Sequence, residues 1–199
     1  GAGKKILLEF VSANPTGPLN VVNARAAAIG DCLASLLEAS GYQVSREFYI
    51  NDAGNQVDVL ADSLEARYRQ QLGQDVPFPE NGYRGEYLID FAKELIEEKG
   101  DSILELPDPE RHEWLKQYAV SRMVGKQKQT LLEYGLEYDT WFSEKSLRDE
   151  GAPEATLRLL AERGFIYEKD GAQWLKSTKF GDDKDRVVVK SDGEMTYLV

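Results

Sequence analysis

The sequence predicts an α/β fold, the first half of an open, doubly wound parallel sheet that carries a mostly helical insertion. Three observations predict it. An apolar run, Ile6-Leu7-Leu8-Glu9-Phe10-Val11, stops at Pro15, Gly17 and Pro18, and an amphipathic helical pattern begins directly after them. A second apolar run, Val44 to Ile50, follows that helix and completes a strand–helix–strand unit. Residues 71 to 140 are then mostly helix-period, highly charged sequence before strand-like runs return. The expected organisation is therefore 1–70 as the first βαβ part, 71–140 as a helical connective insertion, and 141–199 as a return to the sheet domain.

Each element has its own signal. From Val21 to Ser40, apolar residues fall at Val22, Ile29, Leu33, Leu36 and Leu37 with alanines between, which predicts a helix that buries that stripe and ends near Gly41. Asn51 or Asp52 is expected to cap a second helix, whose stripe is Val57, Leu60, Leu64 and Tyr68. After Gly73, the run Pro77-Phe78-Pro79-Glu80-Asn81-Gly82 has turn chemistry. Helical spacing resumes at Leu88, Phe91 and Leu95, and again at Leu115, Ala119 and Met123. A short helix over about Pro153 to Arg163 precedes strand-like Phe165-Ile166-Tyr167, Gln173-Trp174-Leu175 and Val187-Val188-Val189. Asp192-Gly193 is placed to close a hairpin between Val187–Lys190 and Met195–Val199.

Composition narrows the function classes. Neither a membrane-length apolar run nor a signal-peptide pattern is present. A single Cys32 excludes an internal disulfide framework and fits a reducing, cytoplasmic setting. With His112 as the one histidine, an ordinary zinc site is short of ligands, and no protein-bound metal is expected. A net charge of −11 works against nucleic-acid binding through bulk electrostatics, so an RNA partner has to meet a local patch or another part of a longer protein. The run Asp182-Asp183-Lys184-Asp185 lacks the order of a calcium loop and reads as an exposed turn, and His112 reads as a solvated helix residue. There is no Gly-x₄-Gly-Lys phosphate loop and no Gly-x-Ser-x-Gly elbow.

The chemistry concentrates at the first turn, Ser12-Ala13-Asn14-Pro15-Thr16-Gly17-Pro18-Leu19-Asn20-Val21-Val22-Asn23-Ala24-Arg25. A strand that feeds a helix through such a turn leaves backbone N–H groups and the positive helix end facing a ligand. This stretch, together with Phe48-Tyr49-Ile50-Asn51-Asp52-Ala53-Gly54-Asn55-Gln56, Trp141-Phe142-Ser143-Glu144-Lys145-Ser146-Leu147 and Ser177 to Arg186, closely resembles the catalytic domain of arginyl-tRNA synthetase, a class I aminoacyl-tRNA synthetase. The blocks occur in the family's order across nearly the whole chain. The resemblance implies a Rossmann-like nucleotide-binding domain that activates arginine with ATP and Mg²⁺ and transfers it to tRNA(Arg). The sequence ends at Tyr197-Leu198-Val199, inside what the family uses as its catalytic domain, and reads as a piece of a longer enzyme, inactive when isolated.

The resemblance also assigns residues. The family's His-x-Gly-His signature falls on Asn20-Val21-Val22-Asn23, so Asn20 and Asn23 take the catalytic histidine positions and Val22 stands where glycine admits adenine. Each Asn keeps an NH₂ donor for a phosphate but is never a cation. Thr16 and Gly17 fall on the ATP side, while Asn14, Glu144 and Glu9 fall on the arginine side, where a carboxylate suits a guanidinium. Residue chemistry alone leaves alternatives open: helix capping for Asn20 and Asn23, plain turn chemistry for Thr16 and Gly17, and an Arg partner for Glu9. Arg25 pairs with Glu9 or Asp31, or faces the ATP side. Asn51, Asp52, Asn55 and Gln56 either cap a helix or line the cavity. The Asn-Val-Val-Asn form also admits a paralogue that lost activation and serves as a non-catalytic binding or interaction module.

Overall fold

The computed structural model describes residues 1–196 and Leu198. It divides into two compact units, Gly1–Glu144 and Lys145–Val199. In the first, β1 (Lys5–Glu9), α1 (Val21–Ala39) and β2 (Gln43–Ile50) are followed by α2 (Asn55–Gln71), α3 (Tyr87–Lys99), α4 (Asp108–Glu133) and β3 (Thr140–Ser143). The sheet order is β1-β2-β3, all parallel, with Glu9 opposite Glu47 and Ile50 opposite Ser143. The carboxyl ends of the three strands therefore share one edge of the sheet. In an open parallel α/β sheet that edge is where ligands bind.

Alternation in β2 sends Val44, Arg46, Phe48 and Ile50 to one face. Phe48 is fully buried between the rings of Trp141 (centroids 4.3 Å, stacked) and Tyr138 (5.5 Å, edge-on). Burying such a side chain is worth about 1.5–3 kcal/mol. A second core joins α2, α3 and α4 through Leu60, Leu64, Tyr68, Leu88, Phe91, Leu95, Leu115 and Met123.

The stripe that α1 was expected to bury is not its packed face. Val22, Ile29, Leu33 and Leu36 are exposed, and the residues pressed inward are Ala27, Gly30 and Ala34. The two faces lie roughly a third of a turn apart at about 100° per residue. The small residues allow the closer approach: a Cβ on Gly30 would stand 2.1 Å from the Phe10 ring. Gly30→Ala should thus lower stability by about 1–2 kcal/mol, the overpacking outweighing alanine's better helix propensity. A lower urea midpoint with an unchanged slope would show it; a higher one would reject the contact.

Three further expectations are corrected. The helix after β2 is entered through Gly54, at φ 84°, with no side-chain cap, so neither Asn51 nor Asp52 caps it. A left-handed residue at that position suits glycine, and the two polar side chains upstream turn toward β3 instead. Asp31 pairs with Arg46 (3.2 Å), which also meets Glu38 (2.7 Å) and whose backbone N–H donates to Asp139 (2.7 Å). Hydrogen bonding to the Glu38 carboxylate raises the Arg46 pKa. Arg25 makes neither of its expected pairs among the described residues. His112, on α4, is half-buried and meets Asp62 at 3.2 Å rather than standing free in solvent.

In the second unit, α5 (Glu144–Asp149) and α6 (Ala152–Glu162) precede an antiparallel sheet β4-β5-β6, formed by Ile166–Lys169, Ala172–Leu175 and Arg186–Val189. Asp170 and Gly171, both at positive φ, form the two-residue turn between β4 and β5. The chain returns through Asp192-Gly193, with Val189 bridging Met195 and the Thr196 N–H donating to Val188 (2.9 Å). Tyr197 and Val199 of the expected hairpin lie outside the described residues. The acidic turn at 182–185 is cross-linked: Asp182 grips Arg186 (2.7 Å), and Asp185 accepts from the Thr178 and Tyr167 hydroxyls. The Arg186 contact holds the Asp182 carboxyl well below the usual carboxylate range.

Candidate functional site

The segment between β1 and α1 leaves the strand through a strained turn. Val11 at φ 67° and Ser12 at φ 40° both occupy the left-handed region, unusual for any L-residue and most of all for a β-branched one. Surrounding bonds fix this geometry. The Ser12 hydroxyl donates to the Glu9 carboxylate and accepts from the Tyr49 N–H (3.1 Å), while the Tyr138 hydroxyl donates to the Phe10 carbonyl (3.0 Å). Strain held in place by its surroundings concentrates at ligand sites. Glu9 thus has a serine partner rather than an arginine, and its residue is exposed at the strand end.

Beyond it, Asn14 donates from Nδ2 to Gln56 at the start of α2 (2.9 Å). Three carbonyls of the turn are held from the helical segment. Gln127 Nε2, on α4, donates to the carbonyls of Asn14 (3.1 Å) and Gly17 (3.0 Å). The Tyr87 hydroxyl, on α3, donates to the carbonyl of Thr16 (2.6 Å). Burial pushes the Tyr87 pKa up to about 12, which keeps it a donor throughout the neutral range.

Asn20 and Asn23 form a reciprocal cap at the start of α1. Asn20 Oδ1 accepts from the N–H groups of Val22 (2.9 Å) and Asn23 (3.3 Å), and Asn23 Oδ1 accepts from the Asn20 N–H (2.9 Å). Capping therefore occupies both carboxamide oxygens. Each Nδ2 group makes no bond to another described residue, so capping and a donor role are compatible in these two side chains. Asn20→Ala should cost about 0.5–2 kcal/mol of stability through the lost cap, read as a drop in the urea midpoint; an unchanged midpoint would show the cap to be idle.

At the neighbouring strand ends, the Asn51 carboxamide, oriented nitrogen-first, donates to Glu144 Oε2 (2.9 Å) and to the Ala53 carbonyl (3.3 Å). Ser143 donates to Asp52 (2.5 Å). The polar cluster after β2 thus stitches the β2–α2 loop to the end of β3, and Gln56 stitches it to Asn14. Asn14, Thr16, Gly17, Asn20 and Asn23 lie on one continuous segment, and Glu144 lies at the end of a strand two places across the sheet from it.

Gln127, Tyr87 and Ser12 were not singled out from the sequence. Gln127 had a readable signal: it continues the four-residue spacing Leu115, Ala119, Met123 as a polar residue within a buried stripe. A groove of about 520 Å³ also lies on the α3–α4 surface, lined by Glu94, Glu98, Tyr118 and Arg122, but its acids are already paired with Arg122. Among the described residues, no group of three or more His, Cys, Asp and Glu side chains is placed to hold a metal ion, and no helix is long and apolar enough to cross a membrane.

The family model for the catalytic domain of class I (R) tRNA synthetases matches residues 1–199. The chain belongs to this family. An arginine–tRNA ligase of Desulfitobacterium hafniense (strain DSM 10664 / DCB-2) is 57% identical over 198 residues, covering 100% of this chain and 35% of that protein. A crystal structure named for an arginyl-tRNA synthetase of Campylobacter jejuni superposes with a TM-score of 0.85 at 41% identity, over 98% of this chain and 44% of the other. The arginyl-tRNA synthetase of Thermus thermophilus, at 22% identity, shares the fold with a TM-score of 0.66 over 98% of this chain and 34% of its own. The chain thus spans about a third of the length of the curated relatives it matches. The α/β class expected from the sequence, with its parallel sheet and helical segment, is the fold these synthetases share.

Proposed function

We propose that the protein to which this sequence belongs is a cytoplasmic arginine–tRNA ligase. It uses ATP, with Mg²⁺ carried on the ATP phosphates as part of the substrate, to activate arginine for transfer to tRNA(Arg). A carboxylate oxygen of arginine attacks the α-phosphorus, pyrophosphate leaves, and the arginyl group passes from the adenylate to tRNA. Charge develops on phosphate oxygens in the transition state, and fixed donors aimed there lower the barrier. On this reading Asn20 and Asn23 offer their Nδ2 groups, and Thr16 and Gly17 their turn, to the phosphates. Asn14 and Glu144, with Glu9 beside the strained turn, form the arginine side. Residues 71–140 are an insertion between two parts of the catalytic domain, and its helices brace the turn.

The observation that carries the reading is the reciprocal Asn20–Asn23 cap, which keeps at the N-terminus of α1, where an anion is favoured, two amide donors with no partner among the described residues. Arginine-dependent ATP–pyrophosphate exchange by the full-length parent is the test. Exchange supports the ligase. Its absence in a folded, arginine-binding protein would favour a relative that lost activation, in line with Asn20-Val21-Val22-Asn23 at the signature position.

A further inference from the structure

We propose that Gln127 and Tyr87 are positioning residues that preform the nucleotide-facing turn from the helical segment, an inference that rests on the ATP reading given above. Pro15 and Pro18 carry no N–H, so from Pro15 to Pro18 the backbone has two donors, those of Thr16 and Gly17. The carbonyls before the prolines, of Asn14 and Gly17, belong to peptide groups with no N–H of their own to anchor them. Gln127 holds both, at 3.1 and 3.0 Å, with one amide nitrogen.

Tyr87 acts on the peptide between them. In a trans peptide the carbonyl and the following N–H point in opposite directions, and this chain contains no cis bond. Drawing the Thr16 carbonyl onto Tyr87 therefore turns the Gly17 N–H away from α3. It faces the Asn14 carbonyl and closes the Asn14–Gly17 turn. Gly17 also has open space where a Cβ would stand, so a ligand oxygen meets no side chain there. The two tethers thus fix the backbone of the turn that leads into the Asn20–Asn23 cap.

Gln127 shows that this arrangement is not simply the best-packed one. It is 1% exposed, and its Oε1 is buried with no hydrogen-bond partner. A methionine would fill the same volume without that cost. What the amide supplies and a methionine cannot is the donor that holds the Asn14 and Gly17 carbonyls.

The test compares Gln127→Met and the milder Tyr87→Phe in the full-length parent. Calorimetry should show ATP binding weakened about tenfold by Gln127→Met and roughly three- to tenfold by Tyr87→Phe, with arginine affinity within about twofold for Tyr87→Phe. Unchanged ATP affinity in both variants overturns the proposal. Amide relaxation with segmental ¹⁵N labelling of residues 1–199 supplies a readout that needs no nucleotide. Thr16 and Gly17 should be as rigid as the helices in the wild type (order parameters about 0.85) and fall toward about 0.6 in the variants. Equal rigidity would overturn the positioning role even where ATP affinity moves. Absence of ATP binding by the wild type, with the turn still loosened in both variants, would remove the nucleotide reading and leave the tethers standing.

Discussion

Replacing Glu144 with Gln in the full-length parent is expected to weaken arginine binding by roughly ten- to a hundredfold while leaving ATP affinity within about twofold. A guanidinium presents a planar fork of donors that a carboxylate meets with two charge-assisted bonds; an amide offers one acceptor and no charge. Loss of such a contact costs about 1.5–3 kcal/mol. The substitution is close to isosteric, and its local framework tolerates it: Asn51 donates to Glu144 Oε2 at 2.9 Å, and a glutamine oxygen accepts that bond equally well. Fold stability should therefore stay near that of the wild type, which separates recognition from packing. Calorimetric titration with arginine decides the matter even in a parent that activates slowly. An unchanged arginine affinity would make Glu144 a structural residue at the end of β3.

The stitching around Glu144 also shows where sequence reasoning reached its limit. Strand–turn–helix–strand at residues 5–50 was legible because apolar runs flank a helix-period stretch there, and Pro15, Gly17 and Pro18 punctuate the change. The face by which α1 packs was not. Periodicity marks Val22, Ile29, Leu33 and Leu36 as apolar, yet it cannot say what covers an apolar face, and here Ala27, Gly30 and Ala34 make the close contact because small residues permit it. The cluster Asn51, Asp52 and Gln56 announced polar chemistry near a helix start. Its partners, Glu144, Ser143 and Asn14, are between 42 and 93 residues away, and no local rule reaches that far. Backbone strain at Val11 and Ser12 is equally invisible in sequence, since neither residue type favours positive φ. It exists because Tyr138 and Tyr49 hold both sides of the turn from other elements.

The Asn20–Asn23 cap bears directly on the second large effect, an expected gain in ATP affinity of about five- to a hundredfold for Val22→Gly in the full-length parent. The resemblance places the nucleotide base against a bare backbone at this position, as at other close-approach glycines. Valine puts three side-chain carbons there on a stiff χ1. One competing account has the backbone shifted so that Val22 packs into the core and ATP binds normally beside it. The structure excludes that packing: Val22 is 69% exposed, in the first turn of α1, with its N–H on Asn20 Oδ1 at 2.9 Å. The helix start is held by a complete capping box, so the side chain stands out from an ordinary N-terminal turn rather than from a displaced one. Small-to-large changes in closely packed places cost about 1–3 kcal/mol, and removing the obstruction should return about that much to binding. Glycine lowers helix stability by about 1 kcal/mol, but this falls on folding in free and bound protein alike and leaves the binding comparison intact. Asn20 and Asn23 should matter less, because each retains an amide donor at the helix N-terminus. Titrating ATP against wild type and Val22→Gly by calorimetry tests the steric argument, and equal or weaker binding by the glycine variant rejects it.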